Sequence, residues 1–151
     1  YESKFFGDTA RVSIAGRDVR LLIPSTFVNL SGKSVAAMAR FYQIAPENIL
    51  VVHDELDMDP GTVRFKKGGG HGGHNGLRDT IKSLGNNKDF ARLRIGIGHP
   101  GQANLVSDYV LKKAALSDQQ LIANSIDDAL RHLPTAVEGQ WEKALTALHS
   151  L

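Results

Sequence analysis

Residues 53–57 (HDELD) bring one imidazole and three carboxylates within five positions. A carboxylate in such a run can orient an imidazole that acts as a general base, and Asp54 is the candidate for this role. Two other interpretations stay open. Carboxylates bind Mg²⁺, although neighbours on a strand face opposite ways, and the acids of this alternative are Asp54, Glu55, Asp57 and Asp59. The run also fits an acidic turn at the surface.

Residues 68–76 (GGGHGGHNG) form a glycine-rich loop that contains two imidazoles and one amide. Glycines let a backbone approach a ligand closely, and the start of a following helix favours anions. The loop lacks the Gly-Lys-Ser/Thr ending of a Walker loop and the later acid of a dinucleotide fingerprint. We interpret it as a binding loop. A flexible loop and a metal site at His71 and His74 are the alternatives.

Asn29 is the amide of a third candidate, residues 26–29 (TFVN), between a predicted strand and a predicted helix. An asparagine at such a turn usually caps the helix. Ligand binding is the alternative, because ligands of open α/β sheets gather beyond the carboxyl ends of the strands.

The elements that position these residues alternate along the chain. Residue patterns predict strands at 10–14, 19–23, 49–52, 63–66 and 92–98, and helices at 31–43, 77–84, 117–133 and 135–149. The first two strands form a predicted hairpin, the apolar run 49–52 is typical of a strand buried on both faces, and Ser31 and Ser117 are predicted N-caps. This alternation predicts an α/β fold: a three-layer α/β/α single domain over residues 1–151 with a central mixed sheet.

Positive charge is concentrated in the middle of the chain. Residues 64–94 contain eight basic and two acidic residues, whereas the remainder contains ten basic and fourteen acidic residues. A basic stretch in an acidic body is expected where one face meets phosphates. Solvated lysine and arginine side chains are the alternative.

The composition narrows the class of protein. The chain has 151 residues, of which 42% are hydrophobic and 23% charged, and this excludes disorder and collagen-like order. The absence of cysteine excludes disulfides, thiolate metal sites and cysteine nucleophiles. No apolar run reaches the roughly 18 residues that a membrane span requires. We expect a cytoplasmic protein without membrane association.

Four strings occur in an order and spacing that resembles the bacterial peptidyl-tRNA hydrolases: 24–32 (PSTFVNLSG), 53–57, 68–76 and 92–101 (RLRIGIGHPG). The resemblance covers essentially the entire chain. It implies the fold of that family and a monomeric enzyme that cleaves the ester joining a peptide to the 3′ end of tRNA, recycling tRNA during translation. It implies no metal and no other cofactor.

The resemblance also assigns roles to individual residues. Asp54 keeps a catalytic histidine oriented and basic, and the amides of Asn29 and Asn75 bind the peptide or the terminal nucleotide and the developing oxyanion. Phe27 and His74 line the same groove. The positions that meet tRNA phosphates, in agreement with the basic middle of the chain, are Arg64, Lys66 and Arg94.

One departure concerns the catalytic histidine. In the family it lies in an amino-terminal segment with an Asn-Pro-Gly turn and an Arg-His-Asn stretch, and this chain contains neither string. None of the six histidines falls at that position, and His53 should face away from Asp54. We expect on the order of 30 or more residues of that segment to be absent.

This expected gap has consequences for activity and stability. Hydrolysis by the chain should be weak or absent, and strands beside the gap should keep unpaired backbone groups. We therefore expect the chain to be less stable than a complete homologue, to rearrange or to self-associate. Two alternative functions stay open: a noncatalytic tRNA-binding protein, and a metal-dependent hydrolase that uses the acidic run with His71 and His74.

Overall fold

The computed structural model describes residues 1–99 and 116–149. The chain divides into two compact units. The first unit comprises Tyr1–Leu50 and Lys67–Ala91, and the second comprises Val51–Lys66 and Arg92–Leu151. Each unit therefore combines two separate stretches of sequence. A single domain over residues 1–151 stays a prediction.

The predicted hairpin lies in the first unit, after a 3-10 turn over Ser3–Phe5. Strands β1 (Gly7–Ile14) and β2 (Arg17–Pro24) pair antiparallel, and both are longer than the sequence pattern indicates. Ala15 and Gly16 form the connection with φ values of 52° and 74°. A two-residue turn with both φ values positive has a twist that matches the flanking strands, so the geometry of this turn sets the register of the hairpin.

Two packed helices complete the first unit, α1 (Ser31–Phe41) and α2 (Asn75–Ser83). A 3-10 turn over Val28–Leu30 leads directly into α1. The prediction that Ser31 is the N-cap is wrong, because this turn makes Ser31 the first helical residue. Its hydroxyl donates a hydrogen bond to the Val28 carbonyl at 2.7 Å, and Leu30 at the cap position offers no side-chain cap.

A three-stranded sheet has nearly all of its residues in the second unit, in the order β3 (Leu50–Glu55), β5 (Ala91–Gly96), β4 (Val63–Lys67). The Ala91 and Ile97 amides donate to the Ile49 and Glu55 carbonyls, so β3 and β5 run parallel. The amides of Gly68 and Gly96 donate to the carbonyls of Phe90 and Thr62, so β4 and β5 run antiparallel. The predicted α/β class and mixed sheet are confirmed.

Strand β3 corrects one prediction from the sequence. Among the described strands it lies at the edge of its sheet, and Val52 is 57% exposed. The expectation of a strand buried on both faces is therefore wrong. An uninterrupted apolar run shows that a strand is favourable, but it does not show how many neighbours that strand has.

Helices α3 (Leu116–Val137) and α4 (Trp141–His149) complete the described part of the second unit. The predicted boundary at Pro134 and the cap at Ser117 are both wrong, because both residues lie inside α3. Pro134 removes one helix hydrogen bond, and the helix ends only before Gly139, whose φ is 87°. None of the helices in residues 1–99 and 116–149 is long and apolar enough to cross a membrane.

Candidate active site and nucleic-acid interface

Two exposed asparagine amides lie on packed elements of the first unit. Asn29 is in the middle of the 3-10 turn that packs against α2, and Asn75 is the first residue of α2. Both side chains are exposed, and neither makes a hydrogen bond to any residue that the structure describes. Their donors and acceptors therefore face solvent. We call residues 27–29 and 74–76 the amide platform.

A glycine brings the two halves of the amide platform together. A Cβ added at Gly76 would lie 3.2 Å from Val28 Cγ1 and 2.9 Å from His74 Cε1. The second distance is shorter than any ordinary carbon contact. The absence of a side chain at Gly76 therefore lets the turn that carries Asn29 approach the start of α2 closely.

Each of the two imidazoles of the glycine-rich loop accepts a hydrogen bond from a nearby main-chain amide. His74 is the N-cap of α2, and its Nδ1 accepts the Leu77 amide at 3.2 Å. His71 Nδ1 accepts the Gly73 amide at 2.9 Å. Nδ1 of each ring is therefore engaged with the backbone. Phe27, beside Asn29, is 79% exposed, and groove-lining roles for Phe27 and His74 stay predictions.

Asp54 lies near the carboxyl end of β3 in the second unit. His53 is buried and Asp54 is half-buried, as the alternation of a strand predicts for side chains on opposite faces. The His53 Nδ1 is 2.8 Å from the main-chain carbonyl of Asp54. This contact joins the ring to the backbone, so the geometry offers His53 no role as the base that the Asp54 carboxylate orients.

Four cations share one face of the strands β4 and β5. The hydrogen bonds at the two ends of this ladder join residue 62 to residue 96 and residue 68 to residue 90. The two strands therefore have equal lengths between these bonds, and the register contains no bulge. It places Arg64 opposite Arg94 and Lys66 opposite Arg92. Residues directly opposite in an antiparallel pair point to the same side. We call Arg64, Lys66, Arg92 and Arg94 the cationic strand pair.

The four cations differ in how much of their charge reaches solvent. Arg94 contacts Glu55 Oε1 through both Nε and Nη2 at 3.0 Å, so its charge is offset. Arg64 donates one bond from Nη1 to the Val63 carbonyl. The Lys66 side chain is exposed and makes no hydrogen bond or ion pair within the described residues. Lys66 is therefore the most available positive charge of the set.

Arg92 is only 1% exposed. Burial, and secondarily the positive charge of Arg94, lowers the pKa of Arg92. The face of the ladder opposite to Arg92 is apolar. Val63 and Phe65 are buried there, and the Phe65 and Trp141 rings meet edge-on with their centroids 6.1 Å apart. The strand alternation therefore separates a packed apolar face from a cationic one.

The acidic run does not gather into a metal site. Across residues 1–99 and 116–149, no three histidine, aspartate or glutamate side chains form a group that could hold a metal ion. Glu55 is engaged with Arg94, and His71 and His74 accept backbone amides. The metal-dependent alternative has no donor set in this part of the chain.

Comparison with known proteins identifies the family. The model of the family described as peptidyl-tRNA hydrolase matches residues 1–151. The chain belongs to the peptidyl-tRNA hydrolase family. A peptidyl-tRNA hydrolase of Teredinibacter turnerae is 61% identical over 147 residues, which cover 97% of this chain and 76% of the relative. A peptidyl-tRNA hydrolase of Shewanella frigidimarina is 62% identical over 149 residues, which cover 99% of this chain and 76% of that relative.

A solved structure agrees with this assignment. The crystal structure of peptidyl-tRNA hydrolase from Acinetobacter baumannii matches with a TM-score of 0.95 and 51% identity, covering 98% of this chain and 74% of that one. The predicted family, fold class and enzyme class are confirmed. The roles of Asp54, Asn29 and Asn75, the absent amino-terminal segment, the cytoplasmic location and the oligomeric state stay predictions.

The sequence analysis missed two polar contacts. Glu55 pairs with Arg94 across 39 positions, and Asp79 of α2 accepts the Gly32 amide of α1 across 47 positions. From the sequence, Glu55 was considered only as a metal ligand, and Asp79 was counted only as one of the two acids in the basic stretch 64–94. Neither partner has a local signature, because strand pairing and helix packing bring the residues together.

Proposed function

We propose that this chain hydrolyses the ester that joins the peptide to tRNA in peptidyl-tRNA, releasing a peptide acid and free tRNA. The observation that carries the proposal is the amide platform, two exposed asparagine amides on tightly packed elements of a chain in this family. In the reaction, water attacks the ester carbonyl carbon, and the carbon–oxygen bond to the terminal ribose breaks. The ribose oxygen leaves as a hydroxyl after taking a proton.

The asparagine amides serve the acyl part of the substrate. Each side chain offers an NH₂ donor and a carbonyl acceptor. Donors held in place before the reaction stabilise the charge on the carbonyl oxygen without having to reorganise. The packing at Gly76 supports this role for Asn29 and Asn75, because it limits their movement relative to each other. Phe27 supplies exposed apolar surface next to Asn29 for the peptide.

Asp54 supports the histidine that acts as the general base. A carboxylate orients an imidazole and stabilises the imidazolium that forms when water loses its proton. The contact of His53 with the backbone makes that neighbour unsuitable.

The cationic strand pair serves the tRNA backbone. Lysine and arginine side chains that neutralise phosphates give affinity that depends little on sequence and falls steeply with salt. Lys66 is the principal contact, because it is exposed and has no partner among the described residues. Arg64 and Arg94 lie beside it on the same face, and Arg94 shares its charge with Glu55.

The first test measures cleavage of N-blocked aminoacyl-tRNA, with and without chelator, alongside a titration of deacylated tRNA. We expect Asp54→Ala to lower the hydrolysis rate at least about 100-fold and to change tRNA affinity by less than about twofold. Asp57→Ala is the matched control, because it removes an exposed acid from the same run.

Each other outcome has a definite meaning. An unchanged rate in Asp54→Ala would remove Asp54 from the mechanism. Chelator-resistant hydrolysis by the 151-residue chain is the result that the proposal expects, and it would contradict the expectation of weak or absent activity. Binding of tRNA without cleavage by the unaltered chain would support the noncatalytic alternative. Loss of cleavage with chelator would favour metal-dependent hydrolysis.

A further inference from the structure

The start of α1 has an unusual cap. The first helical amides have no partner inside a helix and need an acceptor from elsewhere. Leu30 at the cap position supplies none, and the first turn of α1 contains no acidic residue. The amide of Gly32 donates instead to Asp79 Oδ2 of α2, at 2.7 Å. A bond this short to a carboxylate is among the stronger hydrogen bonds of a protein.

The contact lies where two backbones meet. A Cβ added at Gly32 would overlap the main-chain carbonyl of Asp79 and come 2.5 Å from Ser83 Oγ. Gly32 is buried. The helices therefore approach closely at this point, and the Asp79 carboxylate fixes the approach with one directed bond. A displaced carboxylate would shift the first turn of α1 relative to α2.

Both partners sit close to the amide platform. Asn29 precedes the start of α1 by two residues, and the 3-10 turn that contains it runs straight into that helix. Asn75 precedes Asp79 by four residues, so the two share one face of α2. The Asp79–Gly32 bond thus ties the element that carries Asn29 to the element that carries Asn75.

We propose that Asp79 is a positioning residue that sets the separation and orientation of the Asn29 and Asn75 amides for the acyl end of the substrate. This inference rests on the proposed function of the amide platform. Asp79 does not contact substrate in this role. It acts through the first turn of α1, and the acyl end is recognised only when both amides are held together.

The test uses a ligand that does not depend on catalysis. The probe is adenosine that carries N-acetylphenylalanine through an amide at its 3′ position, a stable analogue of the ester. Its affinity is measured by calorimetry, and deacylated tRNA is titrated separately. We expect Asp79→Ala to weaken analogue binding about tenfold and to leave tRNA affinity within about twofold. A general loss of folding would lower both affinities.

Two variants separate the hydrogen bond that Asp79 accepts from the negative charge that it carries. Asp79→Asn keeps an acceptor of the same length and should bind the analogue within about threefold of the unaltered chain. Asp89→Ala removes the same charge from an exposed position of the first unit and should have no effect. If Asp79→Ala does not fold, Asp79→Glu takes its place. Because its side chain is longer, the Asp79→Glu variant should bind the analogue more weakly than the Asp79→Asn variant does.

The outcomes distinguish this inference from the proposed function. Failure of the unaltered chain to bind the analogue, or no effect of Asn75→Ala, would overturn the amide platform itself. Weaker binding in Asn75→Ala together with unchanged binding in Asp79→Ala would overturn only the role of Asp79. Equal losses of analogue and tRNA affinity in Asp79→Ala, or weaker binding in Asp79→Asn than in Asp79→Glu, would also overturn it.

Discussion

The amide platform and the cationic strand pair prepare polar groups for a ligand in opposite ways. In the platform, the functional amides have no partner among the described residues, and the backbone beneath them is fixed by glycine contacts and one short hydrogen bond. In the strand pair, the backbone is an ordinary ladder, and the side chains themselves are constrained: Arg92 is buried and Arg94 is bonded to Glu55.

This difference follows the range of the forces involved. A neutral amide acts over hydrogen-bonding distance, so its position must be fixed closely before the ligand arrives. A charge acts over several ångströms, about 8 Å at physiological salt, and tolerates a mobile side chain such as Lys66. The platform is suited to orienting an ester, and the strand pair is suited to attracting a polyanion.

The largest expected effect is on the platform. Asn75→Ala should lower the hydrolysis rate about 100-fold, because it removes a preorganised donor. Affinity for deacylated tRNA should stay within about twofold. Asn48→Ala is the control, because Asn48 is an exposed asparagine in another 3-10 turn, Pro46–Asn48. Equal hydrolysis rates in the Asn75 and Asn48 variants would show that the amide platform has no special role, and the comparison with the cationic strand pair would fail.

An intermediate effect is expected on the strand pair. Lys66→Ala should reduce the dependence of log affinity on log salt by about one. The double variant Arg94→Ala with Glu55→Gln removes a pair that is neutral as a whole, so it should reduce this slope by less than half as much as Lys66→Ala. Lys143→Ala, on the exposed face of α4, is the control for net charge.

Either of two results would contradict this ranking. If Lys143→Ala matched Lys66→Ala, the slope would report total charge and not the strand pair. If the double variant lost as much slope as Lys66→Ala, Arg94 would leave Glu55 to bind phosphate. The measurement is a series of tRNA titrations at increasing salt.

The smallest effect concerns a titrating group near the strand pair. Partial burial, and secondarily the positive charge of Arg64, lowers the pKa of His149. The unfolded chain therefore binds the His149 proton more readily, and stability falls as the pH drops from the ordinary histidine pKa, about 6.5, through the lowered one. Arg64→Gln should raise the His149 pKa in an NMR titration without restoring its ordinary value, because burial is the larger cause.

The control for this titration is Arg131→Gln. Arg131 is an exposed arginine of the same unit that pairs with Asp128. Its replacement should leave the His149 resonance unchanged. An equal shift in both variants would show that His149 responds to overall charge and not to Arg64.

Local patterns predicted the elements well wherever a few neighbouring residues decide the outcome. The hairpin was expected from two β-prone runs with a short connection, and it forms with Ala15 and Gly16 at positive φ in the turn. The start of α2 after the glycine-rich loop was expected within two residues of its observed position. The errors at Ser31 and Pro134 arise because caps and prolines bias a helix boundary without fixing it, and the chain on either side decides.

The sequence by itself determined the family, the chemistry of Asp54, Asn29 and Asn75 as candidates, and the alternation that puts Arg64 and Lys66 on one side of β4. The tertiary structure decided which of these groups have partners. The Asp79–Gly32 and Glu55–Arg94 contacts join residues 47 and 39 positions apart. Such pairs depend on helix packing and strand order, which periodicity within one segment does not encode.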